Sequence, residues 1–230
     1  MTFADLRKQL ELDLEWRQKE MRLLYNMLSN IDDEEERRSY CKALVVMLYS
    51  HFEGFCKLAF SIYIDIINEE HIMCSQVNAN LAAISLSDIF QGINDPNKNC
   101  SFFRGSPPDN KWMRFFRRVY FLNEMAKLLS EPIHLTEDYI KTDSNLKIPI
   151  LNRTLYHLGF EPGNFDEYVG EISNLVDRRN DYAHGEMKPG IKKEEYDNFE
   201  IIAFKIMSDL MALLDDSLKN KKYLKEQVQL

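Results

Sequence analysis

Residues 37–69 run without a proline and are apolar around most of a helical circumference, and this stretch constrains the fold more than any other. At helical spacing Leu44, Leu48, Phe55, Leu58 and Ile62 form one stripe, and Val45, Tyr49, Phe52, Cys56, Ala59 and Tyr63 the next. A helix apolar over most of its girth has to be enclosed by other helices. Its remaining polar strip carries Ser50, Glu53 and Lys57, the last two an i,i+4 pair in the favourable order.

The rest of the chain supplies the neighbours. Residues 3–28 place Leu6, Leu10, Leu14, Met21, Leu24 and Leu28 at roughly helical spacing. The acidic run Asp32–Glu36 reads as the start of the long helix, because carboxylates suit the positive end of the helix dipole. Residues 75–91 read as a weak helix or two short pieces. Residues 92–111 gather Gly92, Pro96, Gly105, Pro107 and Pro108 and read as one long irregular loop: an insertion, a binding loop or a mobile flap. Residues 112–130 predict a helix with Trp112, Phe115, Phe116, Val119, Leu122, Ala126 and Leu129 facing inward. A helix over 143–158, capped by Asp143 or Ser144 and ended by Gly159, follows. Helices over 165–184 and 192–222 complete an all-α bundle, read as one domain over 1–230. With Gly at 8 and Pro at 7 among 230 residues, breakers are too few for a many-turned β fold.

The formal net charge of −8 excludes a generally basic, non-specific nucleic-acid coat, so RNA binding requires a local basic patch. No CxxC occurs, and Cys41 and Cys56 lie within the apolar helical pattern, which predicts small core residues in a reducing cytoplasm. The N-terminus lacks a signal-peptide core. The apolar stretches are interrupted by charges, so no membrane span is expected. His71-x-x-Cys74 has no second pair of ligands, so no zinc site is read there. His51, on the apolar face of its helix, reads as a satisfied core histidine.

The segment Leu175–Gly185 carries the chemistry. Tyr168, Ile172, Leu175, Val176 and Ala183 make its buried stripe, and Arg179 falls on or beside it. A cation there needs a partner. Asn180 and His184 are i,i+4 neighbours at the helix end, with Gly185 as the stop. These are groups that RNA cleavage uses. An imidazole takes or gives the 2′-hydroxyl proton near neutral pH. A guanidinium holds non-bridging phosphate oxygens bidentately. An amide orients either. On spacing alone the plainer reading carries more weight: a capped helix end whose arginine pairs with a core carboxylate. Lys111, Arg114, Arg117 and Arg118, interleaved with aromatics, read as one side of their helix, either a guide for an RNA backbone or a solvated face.

Arg179-Asn180-x-x-Ala183-His184-Gly185 resembles the R-x(4–6)-H motif of HEPN domains. Tyr49-Ser50-His51-Phe52-Glu53-Gly54-Phe55-Cys56-Lys57 is similar to the H-(F/W)-E-G-F-x-K helix of the MAE-type HEPN subfamily. Asp143-Ser144-Asn145-Leu146-Lys147, running to His157-Leu158-Gly159, is similar to its S-N-L…L-G helix. Leu14–Glu20, with Trp16 and Arg17, also fits. The resemblance spans most of the chain in order. It implies a HEPN-like bundle with extra helices and a homodimer that joins two R-x4-H motifs into one composite site. It also implies a metal- and cofactor-independent ribonuclease, as in many toxins and phage-defence effectors, with an antitoxin or operon partner. Carried over, Arg179 is the phosphate-binding arginine, Asn180 the polar follower and His184 the catalytic histidine. Arg178, also within range of His184, is the competitor; Glu53 and Tyr182 are supporting residues. Some relatives are non-catalytic and only bind RNA or ligands. Glu186 stands where one variant of the family has a modifiable tyrosine, so that form of control is not implied here.

Overall fold

In a computed structural model describing residues 3–95, 111–142, 144–186 and 189–225, the chain is built from α1 (Phe3–Asn26), α2 (Glu34–Glu69), α3 (Ala79–Ser85), α4 (Ser87–Asn94), α5 (Lys111–Leu128), α6 (Ile148–His157), α7 (Val169–Ala183) and α8 (Lys193–Lys219). Among the described residues no strand forms; extended pairing is confined to the isolated bridges Met73–Pro132 and Val77–Leu224. The fold is an all-α bundle, as the periodicity predicts.

The acidic run is a helix cap. The Asp33 carboxylate accepts the backbone N–H groups of Glu35 and Glu36 at 2.9 and 2.8 Å, and Glu34, Glu35 and Glu36 form the first turn of α2. Orphan donors and the dipole are satisfied together. By length and by a mean hydropathy of 1.3 over 18 residues, α2 alone among the described helices could cross a membrane. Its apolar sides are instead covered by α1, α7 and α8. Cys41 and Cys56 are fully buried there. Burial pushes the Cys56 thiol far up, so it packs rather than reacts. Tyr25 donates to Asp197 at 2.7 Å, and the Tyr63 and Ser217 hydroxyls lie 2.9 Å apart. Both fasten α8 to the bundle.

Several expectations need correction. Helix α6 begins at Ile148 rather than 143, with Pro149 in its first turn and no side-chain cap. Proline is preorganised for that position. Ser144 adopts a left-handed backbone (φ 57) that no helix start permits, and Asp143 lies outside the described residues. Helix α4 carries through Gly92 to Asn94, so the expected loop starts later; its part over 96–110 also lies outside the described residues. Ala183 is exposed at the frayed end of α7. On α5, Trp112, Phe115, Val119 and Leu122 face outward. The side turned in carries Met113, Phe121, Met125 and Leu128. Helix α5 has apolar rows on two sides, and its partner decides which is buried. That partner is a small satellite core of Cys74, Leu86 and Ile89.

Helices α1 and α2 meet over a buried polar network. Arg17 lies on the inner side of α1 and donates to Asp13 at 2.5 Å and to the His51 carbonyl at 3.1 Å. A Cβ at Gly54 would stand 3.0 Å from its Nη1. Glycine at 54 lets the guanidinium lie on the helix surface. The His51 ring is edge-on to Trp16, centroids 5.2 Å apart. Its Nε2 is 3.0 Å from a Glu20 carboxylate oxygen. Burial, then the Arg17 charge, lowers the His51 pKa, against the weaker pull of Glu20 and Asp13.

A histidine held neutral in the fold costs stability on acidification. The unfolded chain protonates near its ordinary pKa of about 6.5, the fold only lower, so stability is lost as pH falls below that value. Urea denaturation at pH 7.5 and pH 5 is expected to show a larger loss for the native chain than for His51→Gln. An identical loss in both would contradict this environment for His51.

Candidate functional site

Three separated segments converge on one guanidinium. From α2, Tyr49 and Glu53 project side by side at i,i+4. From α7 come Arg179 and Asn180. Between the two helices runs an irregular strap, residues 142–147, bonded to one or the other at each described position. The Thr142 hydroxyl donates to Glu53 Oε1. The Ser144 carbonyl accepts from Arg179 Nη2 at 2.9 Å. Asn145 Oδ1 accepts from Asn180 Nδ2 at 2.9 Å. The Leu146 N–H donates to the Tyr49 hydroxyl at 2.8 Å. Lys147 Nζ donates to Asp177 at 2.7 Å.

Arg179 is set inside this frame. Its Cζ sits 4.0 Å from the Tyr49 ring centroid, a stacked cation–π contact. Nη1 donates to Asn180 Oδ1 at 2.7 Å, and Nη2 lies 3.9 Å from Glu53 Oε2. Lys57 Nζ lies 3.1 Å from the other Glu53 oxygen, so Glu53 serves both cations. The Arg179 side chain is 19% exposed. Two of the five guanidinium N–H donors are used in hydrogen bonds, and an open edge remains. Burial foremost, with help from the Glu53 charge, pushes the Tyr49 pKa to about 12. The ring therefore stays neutral beneath the cation, with its hydroxyl free to accept from Leu146.

His184 stands at the C-cap of α7, its backbone N–H on the Asn180 carbonyl at 3.0 Å. Gly185, at φ 71, ends the helix. The imidazole side chain is exposed. Five helical residues place Arg179 and His184 roughly 140° apart around α7 and about 7.5 Å along it. Within one chain the cation and the imidazole therefore diverge. Asn180, four residues from His184, bridges the two sides.

The remaining candidates separate. Arg178 turns to α8 and pairs with Glu195 at 3.2 Å, so it does not compete for the Arg179 position. Tyr182 packs toward the start of α2, with Lys42 Nζ 5.5 Å from its ring centroid. Burial raises its pKa. Lys111, Arg114 and Arg118 are exposed on α5, whereas Arg117 is buried at 5%. The four do not share one side. Of the strap residues, Thr142 lies just before the expected helix and carries no sequence signal, while Asn145 belongs to the S-N-L motif but is expected there on a helix. Pro149, which marks a helix's first turn, was the available signal.

A family model for HEPN_MAE_28990-like HEPN domains matches residues 6–223. The chain belongs to the HEPN_MAE_28990 family of HEPN domains. No curated protein and no solved structure matches it. Membership points to RNA-related or nuclease activity at the coarse level of the family. In this HEPN domain the three quoted motifs have a common physical task. The Tyr49–Lys57 helix and the Ser144–Lys147 strap build the crevice that orients Arg179 and Asn180.

The Tyr49 ring and hydroxyl are separable. Tyr49→Phe is expected to cost about 1–3 kcal/mol, by stranding the buried Leu146 N–H, and to keep the ring-current shifts of the Arg179 side-chain protons. Tyr49→Leu is expected to abolish those shifts. Arg179 resonances unchanged in the leucine variant would show that the stack does not hold the guanidinium.

Proposed function

We propose that this HEPN domain is a metal-independent endoribonuclease acting as a homodimer, in the role of a growth-arrest toxin or defence effector of the cytoplasm. The supporting observation is the Arg179 guanidinium, clamped by Tyr49, Ser144 and Asn180 with one edge open, on the helix that ends in an exposed His184. The open edge binds non-bridging phosphate oxygens and stabilises charge building on phosphorus. His184 exchanges protons with the attacking and leaving oxygens. Asn180 keeps the guanidinium in plane. The ribose 2′-oxygen bonds to phosphorus as its proton passes to one imidazole. The bond to the 5′-oxygen breaks as a second imidazole gives that oxygen a proton. The products are a 2′,3′-cyclic phosphate and a 5′-hydroxyl.

The divergence of Arg179 and His184 around α7 is the reason to invoke a second copy. A two-fold arrangement brings the imidazole of each chain toward the arginine of the other and supplies both the acid and the base. Glu53 supports the site by fixing Arg179. Exposed Lys111, Arg114 and Arg118 belong to a face remote in sequence from the motif, and Arg117 has no part in RNA contact. One observation favours a second reading. Arg179 and His184 diverge around α7, so the chain by itself does not assemble a cation and an imidazole at one point, which suits a non-catalytic module that binds RNA or a partner protein.

Purified protein incubated with total RNA in EDTA is expected to cleave it, leaving cyclic-phosphate ends. Arg179→Ala and His184→Ala are each expected to lose about 10²–10⁴-fold in rate. Equal cleavage by all three would remove the assignment, and RNA binding without cleavage would support the second reading. A strictly monomeric chain in sedimentation would leave each motif without its mate.

A further inference from the structure

Helix α5 is attached to the bundle by one side and apolar on the other. Phe121, Met125 and Leu128 pack against the satellite core of Cys74, Leu86 and Ile89. The outer row is Phe115 at 61%, Val119 at 40% and Leu122 at 57% exposed, and Trp112 at 61% extends it toward the N-terminus. Positions 112, 115, 119 and 122 follow the alternating three- and four-residue spacing of a heptad seam. Nothing in the chemistry of Arg179 uses this row. Its exposed apolar area is roughly 400–500 Å², the size of the largest patches on soluble proteins and commonly a binding surface. The charges beside it have one sign. Lys111, Arg114 and Arg118 are exposed along the same helix, on a chain whose net charge is −8.

We infer that the outer face of α5 docks an acidic amphipathic helix of a partner protein. An apolar stripe of heptad spacing enters the Phe115–Val119–Leu122 row, and flanking carboxylates meet Lys111 and Arg118, as in helix-in-groove recognition. Charge complementarity decides the occupant. A second copy would bring Lys111 and Arg118 up to their own like. Single-stranded RNA would satisfy the cations but needs ring faces for its bases. Trp112 and Phe115 offer such faces only at the N-terminal end of the row, whereas Val119 and Leu122 have none, so the row as a whole suits an apolar helix face. Partner choice then rests on both the apolar row and the sign of its rim. This inference is independent of the nuclease reading.

The test uses the full chain and a fluorescein-labelled synthetic helix with leucine at heptad positions a and d and glutamate at e and g. Anisotropy titration is expected to show saturable binding. Phe115→Glu with Leu122→Glu is expected to weaken it at least tenfold, and Arg118→Glu several-fold. The same helix with lysine at e and g is expected not to bind. Because these side chains are largely exposed, the variants are expected to keep the native thermal midpoint, which circular dichroism checks. No binding of the acidic helix, or equal binding to the Phe115/Leu122 variant or by the lysine helix, overturns the inference. Displacement by oligouridine would assign the face to nucleic acid. A concentration-dependent dimer lost in the Phe115/Leu122 variant would assign it to a second copy. Either result likewise overturns it.

Discussion

A guanidinium cannot be drawn into a protein crevice unless its charge and its donors are met there, and that requirement organises the middle of this bundle. Arg179 is met from three directions: the face of Tyr49, the carbonyl of Ser144 and the amide oxygen of Asn180. Each partner comes from a different segment. Tyr49 belongs to the longest helix, Ser144 to an irregular strap, Asn180 to the arginine's own helix. Moving Ser144 or Asn180 leaves a guanidinium N–H to part-exposed surroundings, and moving Tyr49 removes a cation–π contact worth about 0.5–2 kcal/mol. The strap is short and has no helix or sheet ladder of its own. Two turn bonds within it, Asn145 N–H to the Thr142 carbonyl and Lys147 N–H to the Asn145 carbonyl, are joined by its bonds to α2 and α7, so its order depends in part on the residues it orders.

The same frame sets what the site can do chemically. A free arginine on a helix surface has a rotamer freedom that must be lost on binding phosphate, whereas Arg179 has lost it already. The cation is presented edge-first with a neutral ring below it and a carboxylate beyond hydrogen-bond range at 3.9 Å. Glu53 is divided between Lys57, Thr142 and Arg179. It therefore tempers the arginine's charge without closing its open edge. The plainer sequence reading, an arginine paired with a core carboxylate, describes part of this arrangement, and the geometry accommodates phosphate as well.

Much of the bundle was legible because its signals are local. The period of α2, the acid cap at Asp33 and the stop at Gly185 each follow from a few adjacent residues. The failures share a different cause. The strap at 142–147 looks like a helix start, since Asp143 and Ser144 are good caps, but a turn closed by the Asn145 N–H on the Thr142 carbonyl and the bond from Arg179 to the Ser144 carbonyl go with a left-handed Ser144. Helix α5 has two apolar rows, and periodicity alone does not say which one meets the satellite core. Arg117 is buried because it follows the row that turned inward. At the site, Arg179 was placed correctly beside the buried stripe. Its stacking partner Tyr49 belongs to the apolar stripe of α2, and periodicity alone gives it only a core role. That ring is core on one side and the floor of the site on the other.

The motif on α2 divides its labour by angle. With roughly 100° between successive helical residues, Tyr49 and Glu53 share one side of α2, while His51 and Gly54 turn to nearly the opposite side. Phe52 and Phe55 go to the core between them. One side receives Arg179 from α7 and the other receives Arg17 from α1, lying flat over Gly54. Two arginines thus grip the same turns of α2 from opposite directions, each with a carboxylate near it: Glu53 for one, Asp13 for the other. The two grips share one helix, although the Arg17 network touches no part of the site. A side chain at 54 would press first on the guanidinium end of Arg17, whose Nη1 stands 3.0 Å from the Cβ position, so the grip from α1 gives before the turn of α2 does. The glycine in that motif thus serves the packing of α1 on α2, and nothing at position 54 faces the site.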